Sequence, residues 1–212
     1  MIMDKKTNNN IHLIKGNYQT FISIPVPFSL KYENIINEIK KNISHSNPNI
    51  ELSHVDKTSL HISLLKANKY IKHLEIQPLL SELRSSIPLS TKQFSIAISN
   101  RIKYLSNPIS NKHFISLLAV KNKSLNKLYK EIAHSLSKFN LDEDSDSFSS
   151  DMQSSFIFHL SLLSSEDNDY RISEEELTKE ISNGSVKVIK LIEAKSVNVS
   201  IGSKVYEIPL KE

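Results

Sequence analysis

Leu60-His61-Ile62-Ser63-Leu64-Leu65 and Phe158-His159-Leu160-Ser161-Leu162-Leu163 decide the fold of this 212-residue chain. Each reads as a short apolar strand carrying a histidine and a serine two positions apart. Successive side chains of a strand point to opposite faces, so His61 and Ser63 share one face while Leu60, Ile62 and Leu64 share the other. The same parity sets His159 and Ser161 against Phe158, Leu160 and Leu162. A strand that faces only a core has no use for two polar groups on one side, twice, in one register. The chain has 8 His and many serines, so a bare His-x-Ser/Thr triplet is expected roughly once or twice by chance. Requiring the apolar flanks cuts that to about 0.1. The embedded pair is the informative feature.

Outward from the two strands, the same order of elements occurs twice. Phe21 to Val26 alternates as a strand, and Tyr32, Ile35, Ile36, Ile39 and Ile43 form the apolar stripe of a helix. After the first His–Ser strand, Pro78 sits near the start of a helix carrying Leu79, Leu80, Leu83 and Ile87. Phe94 to Tyr104 is again a strand. In the second half Phe114 to Val120 is a strand, and Leu125, Leu128, Tyr129, Ile132 and Leu136 mark a helix. After the second His–Ser strand, Ser173 with Glu176 is a capping-box signal for a helix through Ile181, stopped at Asn183-Gly184. Val186 to Ala194 and Val197 to Ile208 close the chain as a strand pair. The opening strands lie 93 residues apart and the His–Ser strands 98, an architectural repeat. It predicts two α+β lobes related by a pseudo-twofold axis, each placing one His and one Ser in a shared cleft. Residues 1–19 are expected to be a flexible N-terminus, 20–212 one domain, and 140–155, acidic and serine-rich, a disordered loop.

Composition removes several chemistries. Hydrophobic content of 39% and charged content of 24% suit a globular protein, and no apolar run approaches the ~20 residues of a membrane span. Met1 to Asn10 carries neither the apolar stretch of a signal peptide nor the arginines of a transit peptide, so no leader is expected. With no cysteine, disulfides, thiolate metal sites and a cysteine nucleophile are excluded. The 3 glycines are too few and too scattered for a phosphate-cradling nucleotide loop. A net charge of +4, carried mostly by lysines, is compatible with a polyanionic ligand or with a plain solvated surface.

The other histidines act as controls. His113 and Ser116 are three apart, so on a strand they face opposite ways and cannot act as a pair. His12, His45, His54, His73 and His134 stand without a partner and read as structural or surface groups. No HxH, HExxH or His–carboxylate spacing suggests a metal site, and no cofactor is expected.

Two imidazoles facing each other across a phosphate suit concerted acid–base catalysis. An ordinary His pKa near 6.5 lets one ring be neutral and the other charged at neutral pH. One takes a proton from the attacking hydroxyl, and the other protonates the departing oxygen. Ser63 and Ser161 would bond the non-bridging oxygens, where charge builds in the transition state. With RNA the attacking group can be the ribose 2′-OH.

The twin H-φ-S-L strands in a duplicated α+β frame resemble the 2H phosphoesterases. Leu60-His-Ile-Ser-Leu, the helix after it, and Phe158-His-Leu-Ser-Leu look most like the family that trims the 3′ end of U6 small nuclear RNA. The resemblance covers roughly Phe21 to Leu210, with the two motifs as its specific part. It implies an α+β fold of two pseudo-symmetric lobes, each an antiparallel sheet with helices on its outer face, flanking a central cleft. It further implies a nuclear, metal-independent 3′→5′ exoribonuclease, acting as a monomer on an RNA 3′ end and away from membranes. Such an enzyme removes terminal nucleotides by transesterification and leaves a 2′,3′-cyclic phosphate or a 3′-phosphate. By motif match, His61 and His159 are its catalytic histidines, and Ser63 and Ser161 its phosphate-binding serines. This chain lacks the family's base-stacking tyrosine before the second histidine; Phe156 is open to two readings, a substitute for it or a plain core residue, and Lys66 is a candidate phosphate contact. Two other readings stay open: a 2′,3′-cyclic phosphodiesterase acting on RNA ends or small nucleotides, and a non-catalytic RNA-binding protein.

Overall fold

A computed structural model describes residues 16–67, 69–107, 112–141, 156–167, 170–183 and 185–212. The first half runs β1 (Asn17–Tyr18), β2 (Thr20–Pro25), α1 (Leu30–Ser46), β3 (Ser53–His54), β4 (His61–Lys66), β5 (Ile71–Lys72), α2 (Ile76–Ser90) and β6 (Phe94–Asn107). The second runs β7 (Lys112–Ala119), α3 (Lys123–Ser137), β8 (His159–Ser165), α4 (Glu174–Ser182), β9 (Val188–Ala194), β10 (Ser196–Ile201) and β11 (Lys204–Pro209). Nine strands form one antiparallel sheet in the order β11-β10-β2-β4-β8-β7-β6-β9, with β3 added beside β8.

The helices form where the apolar stripes place them. Tyr32, Ile35, Ile36, Ile39 and Ile43 are the buried residues of α1, whose N-terminus is capped by the Ser29 side chain on Lys31 N–H. In α2, Leu79, Leu80, Leu83 and Ile87 are buried, and in α3 Leu125, Leu128, Ile132 and Leu136. Ser173 and Glu176 close the expected capping box of α4, and Asn183 ends it in the left-handed region at φ 51°.

The two lobes are halves of this sheet, β11-β10-β2-β4 and β8-β7-β6-β9, joined where β4 pairs with β8. The exchange between halves was not visible in the repeat. β6, which closes the first repeat, pairs with β7 of the second lobe, while β10, from the second half, pairs with β2 of the first. The helices cross in the same way: α1 packs on β8 and beside α4, and α3 on β4 and beside α2. Ile62, Leu64, Leu160 and Leu162 are fully buried in that shared core. Truncating any of them to alanine should cost about 2–5 kcal/mol, so the strands that carry both motifs are firmly seated.

The pseudo-twofold axis extends to the irregularities. In β2–β4 the pairs are Phe21↔Lys66, Ile22↔Leu65 and then Ser23↔Ser63, so Leu64 is an extra residue. In β7–β8 they are Phe114↔Ser164, Ile115↔Leu163 and then Ser116↔Ser161, so Leu162 is extra. Each lobe thus carries a β-bulge at the corresponding place, one residue past its motif serine. A bulge locally bends and twists a strand and re-aims its side chains.

Two boundaries differ from the sequence reading. Asn17 and Tyr18 are not loose: they pair with Lys72 and Ile71 as a small two-stranded sheet. Tyr18 also lies against the β10–β11 turn, where Gly202 has φ +59° and a Cβ would come within 2.9 Å of the tyrosine ring. Of the expected loop at 140–155, Leu141 is buried in the core, where the turn that follows α3 passes through Asn140 at φ 54°. The rest of both expected flexible segments, 1–15 and 142–155, lies outside the described residues.

Candidate active site

Both histidines sit at the first position of their strands, and each is held in the same way. His61 Nδ1 lies 2.7 Å from the Ser59 carbonyl oxygen, and His159 Nδ1 lies 2.9 Å from that of Ile157. A carbonyl only accepts, so both rings carry their proton on Nδ1 and turn Nε2 away from the backbone. A neutral ring so held offers an Nε2 lone pair; a charged one offers an Nε2–H. The same bond therefore serves a base and an acid. Ser59 is itself fixed by a 3-10 turn at Lys57–Ser59, which Asp56 caps through Thr58 N–H at 2.9 Å.

Where β4 meets β8, Ser63 and His159 are cross-strand partners, as are Ile62 and Leu160. Continuing the antiparallel ladder one step sets His61 across from Ser161. Each motif's serine thus flanks the other motif's histidine. All four side chains line one cleft of about 590 Å³, together with Lys66 and Phe156. Phe21 and Phe114, the pseudo-twofold equivalents on the neighbouring strands, form its side walls, and Phe21 packs edge-on against His61 at 5.2 Å.

The rings differ in their surroundings. Burial holds the His159 pKa below its ordinary 6.5; the nearby His61 adds to this, and the Ile157 carbonyl opposes it. His159 is thereby biased toward the neutral form. Phe156 lines the cleft with its ring stacked on Tyr129, centroids 4.9 Å apart and planes at 29°. That aromatic support from α3 had no signal in the sequence, because it depends on how a helix and a distant strand meet.

The control histidines lie elsewhere. His45, His54, His73 and His134 are exposed on helices or edges; His12 lies outside the described residues. His113 is buried and its Nδ1 is 2.9 Å from Ser106 Oγ. It makes no pair with Ser116, as the spacing required, yet Ser116 is not idle. Its Oγ lies 3.0 Å from Ser161 Oγ. The sequence concealed this because the bulge at Leu162 sets the register that brings the two hydroxyls together. Among the described residues no group of three or more His, Asp or Glu is placed to hold a metal ion, and no helix is long and apolar enough to cross a membrane.

The HVSL family model, described as an uncharacterised conserved protein, matches residues 4–209. No curated protein matches the chain. Among solved structures, Kluyveromyces marxianus Usb1 with uridine monophosphate is similar at a TM-score of 0.60 and 13% identity, over 93% of this chain and 100% of that one. TT0787 of Thermus thermophilus is similar at 0.56 and 11%, over 91% and 98%. E. coli LigT complexed with 3′-AMP is similar at 0.53 and 14%, over 92% and 96%. At these identities the likeness is one of fold, and the fold is that of the 2H phosphoesterases.

Proposed function

The chain belongs to the HVSL family, and we propose that it is a 2H-type RNA phosphodiesterase that shortens RNA from the 3′ end. The observation that carries this reading is the matched setting of His61 and His159. Two rings, each donating Nδ1–H to the carbonyl two residues upstream, aim Nε2 into one cleft beside two serine hydroxyls. The chemistry suited to that arrangement is in-line transfer at a phosphodiester. Nε2 of His159, favoured neutral by burial, takes the proton of the penultimate ribose 2′-OH as its oxygen bonds to phosphorus. His61 delivers a proton to the departing O5′ as the P–O5′ bond breaks. The products are a 2′,3′-cyclic phosphate on the shortened RNA and a terminal nucleoside with a free 5′-hydroxyl. Ser63 and Ser161 donate to the non-bridging oxygens throughout.

The substrate we assign is the 3′ end of U6 small nuclear RNA, handled in the nucleus by a monomer. Support for it comes from the motif resemblance and from the fold shared with Usb1, whose structure holds uridine monophosphate. In this cleft Phe156, backed by Tyr129, is the aromatic surface for the terminal base, and Lys66, which also lines it, is the cation for a phosphate contact. Incubating the protein with oligouridine in excess EDTA and mapping the ends tests the assignment. Stepwise shortening is expected. Opening of a 2′,3′-cyclic phosphate without shortening would favour the cyclic phosphodiesterase reading, and RNA binding with neither reaction would favour the non-catalytic one.

A further inference from the structure

The two phosphate-facing serines have different supports. On the second lobe, Ser116 is fully buried and its Oγ lies 3.0 Å from that of Ser161. On the first lobe, Ser23 occupies the equivalent place, directly across from Ser63, and is also buried. Among the described residues, no side-chain hydrogen bond joins Ser23 to Ser63. The bulges at Leu64 and Leu162 bring both serine pairs into register, but only one pair has closed.

From this asymmetry, and on the reading of Ser161 as a phosphate donor, we propose that Ser116 is a positioning residue that sets the Ser161 hydroxyl toward the phosphate. A serine hydroxyl has one proton and can donate it once. When Ser161 donates to a non-bridging oxygen, its own oxygen is left to accept, and the nearby donor is the Ser116 hydroxyl. The chain Ser116 O–H···Ser161 O–H···O–P then runs in one direction, and successive hydrogen bonds of that kind polarise and strengthen one another. Ser116 lies beneath the cleft floor and touches no substrate. Its effect grows as negative charge builds on the phosphorane oxygens, so it belongs to the transition state rather than to ground-state binding. Ser63, without such a backing donor, orients its hydroxyl only when substrate arrives.

The test combines turnover on oligouridine with the affinity for uridine vanadate, a mimic of the five-coordinate phosphorus. A lost neutral hydrogen bond of this type corresponds to about a 3- to 10-fold effect. Ser116→Ala should therefore lower kcat and weaken uridine vanadate binding by that factor, with KM and the affinity for uridine 3′-monophosphate changed less than about twofold. Ser116→Cys, close in size but a poor donor, should shift both quantities in the same direction and serves if the alanine variant does not fold. In a double-mutant cycle, adding Ser116→Ala to Ser161→Ala should cost nothing more, whereas a merely structural role would lower activity in either background. Ser23→Ala should change kcat less than about twofold. Additive losses for Ser116 and Ser161, or an equal loss from Ser23→Ala, would overturn the proposal. A wild-type protein that leaves oligouridine intact yet shows the same coupling in uridine vanadate binding would overturn RNA trimming and keep Ser116 in its role. One that neither cleaves nor binds the vanadate would overturn both.

Discussion

Ser63 and His159 face each other across the junction between the two lobes, as cross-strand partners on β4 and β8. The site is therefore built from strand pairing itself: a one-residue slip would turn every polar group of one motif into the core. The buried Ile62 and Leu160, directly paired one step along, hold that register.

Substituting His61 or His159 by alanine is expected to lower the rate of oligouridine shortening by ~100- to 10,000-fold, the usual weight of one acid–base group. The fold should persist, since both side chains are only half-buried at strand starts. His113→Ala, made in the buried ring that bonds Ser106, should keep its catalytic rate per folded molecule. Single-turnover rates normalised to the folded fraction check all three.

The division of labour between the histidines is open to a chemical rescue. If His61 protonates O5′, a substrate with sulfur in place of that bridging oxygen needs no acid, because a thiolate leaves readily. His61→Ala should then recover most of its activity on the thio substrate, and His159→Ala should not. The reverse pattern would exchange the two roles.

Much of this was legible in the sequence, and the remainder has a common cause. The stripes at Ile35, Ile39 and Ile43, or at Leu79, Leu83 and Ile87, are local patterns that report which face of a helix is buried, and the helices form there. The parity of His61 with Ser63 and of His159 with Ser161 is equally local. What escaped was non-local: the exchange of β6 and β10 between lobes, the pairing of Asn17–Tyr18 with β5, and the stacking of Phe156 on Tyr129. Ser116 is the instructive case. Its spacing from His113 correctly ruled out a His–Ser pair, yet its value lies in a register shift on another strand that spacing cannot report.

The lowered pKa of His159 also bears on stability. Above its ordinary 6.5, folded and unfolded chains both hold this ring neutral and it contributes nothing to pH dependence. As pH falls below that value the unfolded chain takes the proton first, so stability declines until the folded-state pKa is passed. The urea midpoint should therefore drop between pH 7 and pH 5, and drop less in His159→Gln. His54, an exposed ring whose pKa is also lowered, by slight desolvation and then by the nearby Lys40 and Lys57, is present in both proteins and cancels from the comparison. An identical decline in the variant would remove His159 as its source.

In transesterification the RNA supplies its own nucleophile, so the decisive substrate is oligouridine with deoxyribose in place of the penultimate ribose. Phosphates and bases are unchanged, so binding should weaken only modestly, since phosphate contacts dominate affinity. Removal of the terminal nucleotide should stop, while the all-ribose control ends in a 2′,3′-cyclic phosphate or a 3′-phosphate. Release of the terminal nucleotide from the deoxy substrate at the normal rate would mean that water attacks phosphorus, and would contradict transesterification by the His61–His159 pair.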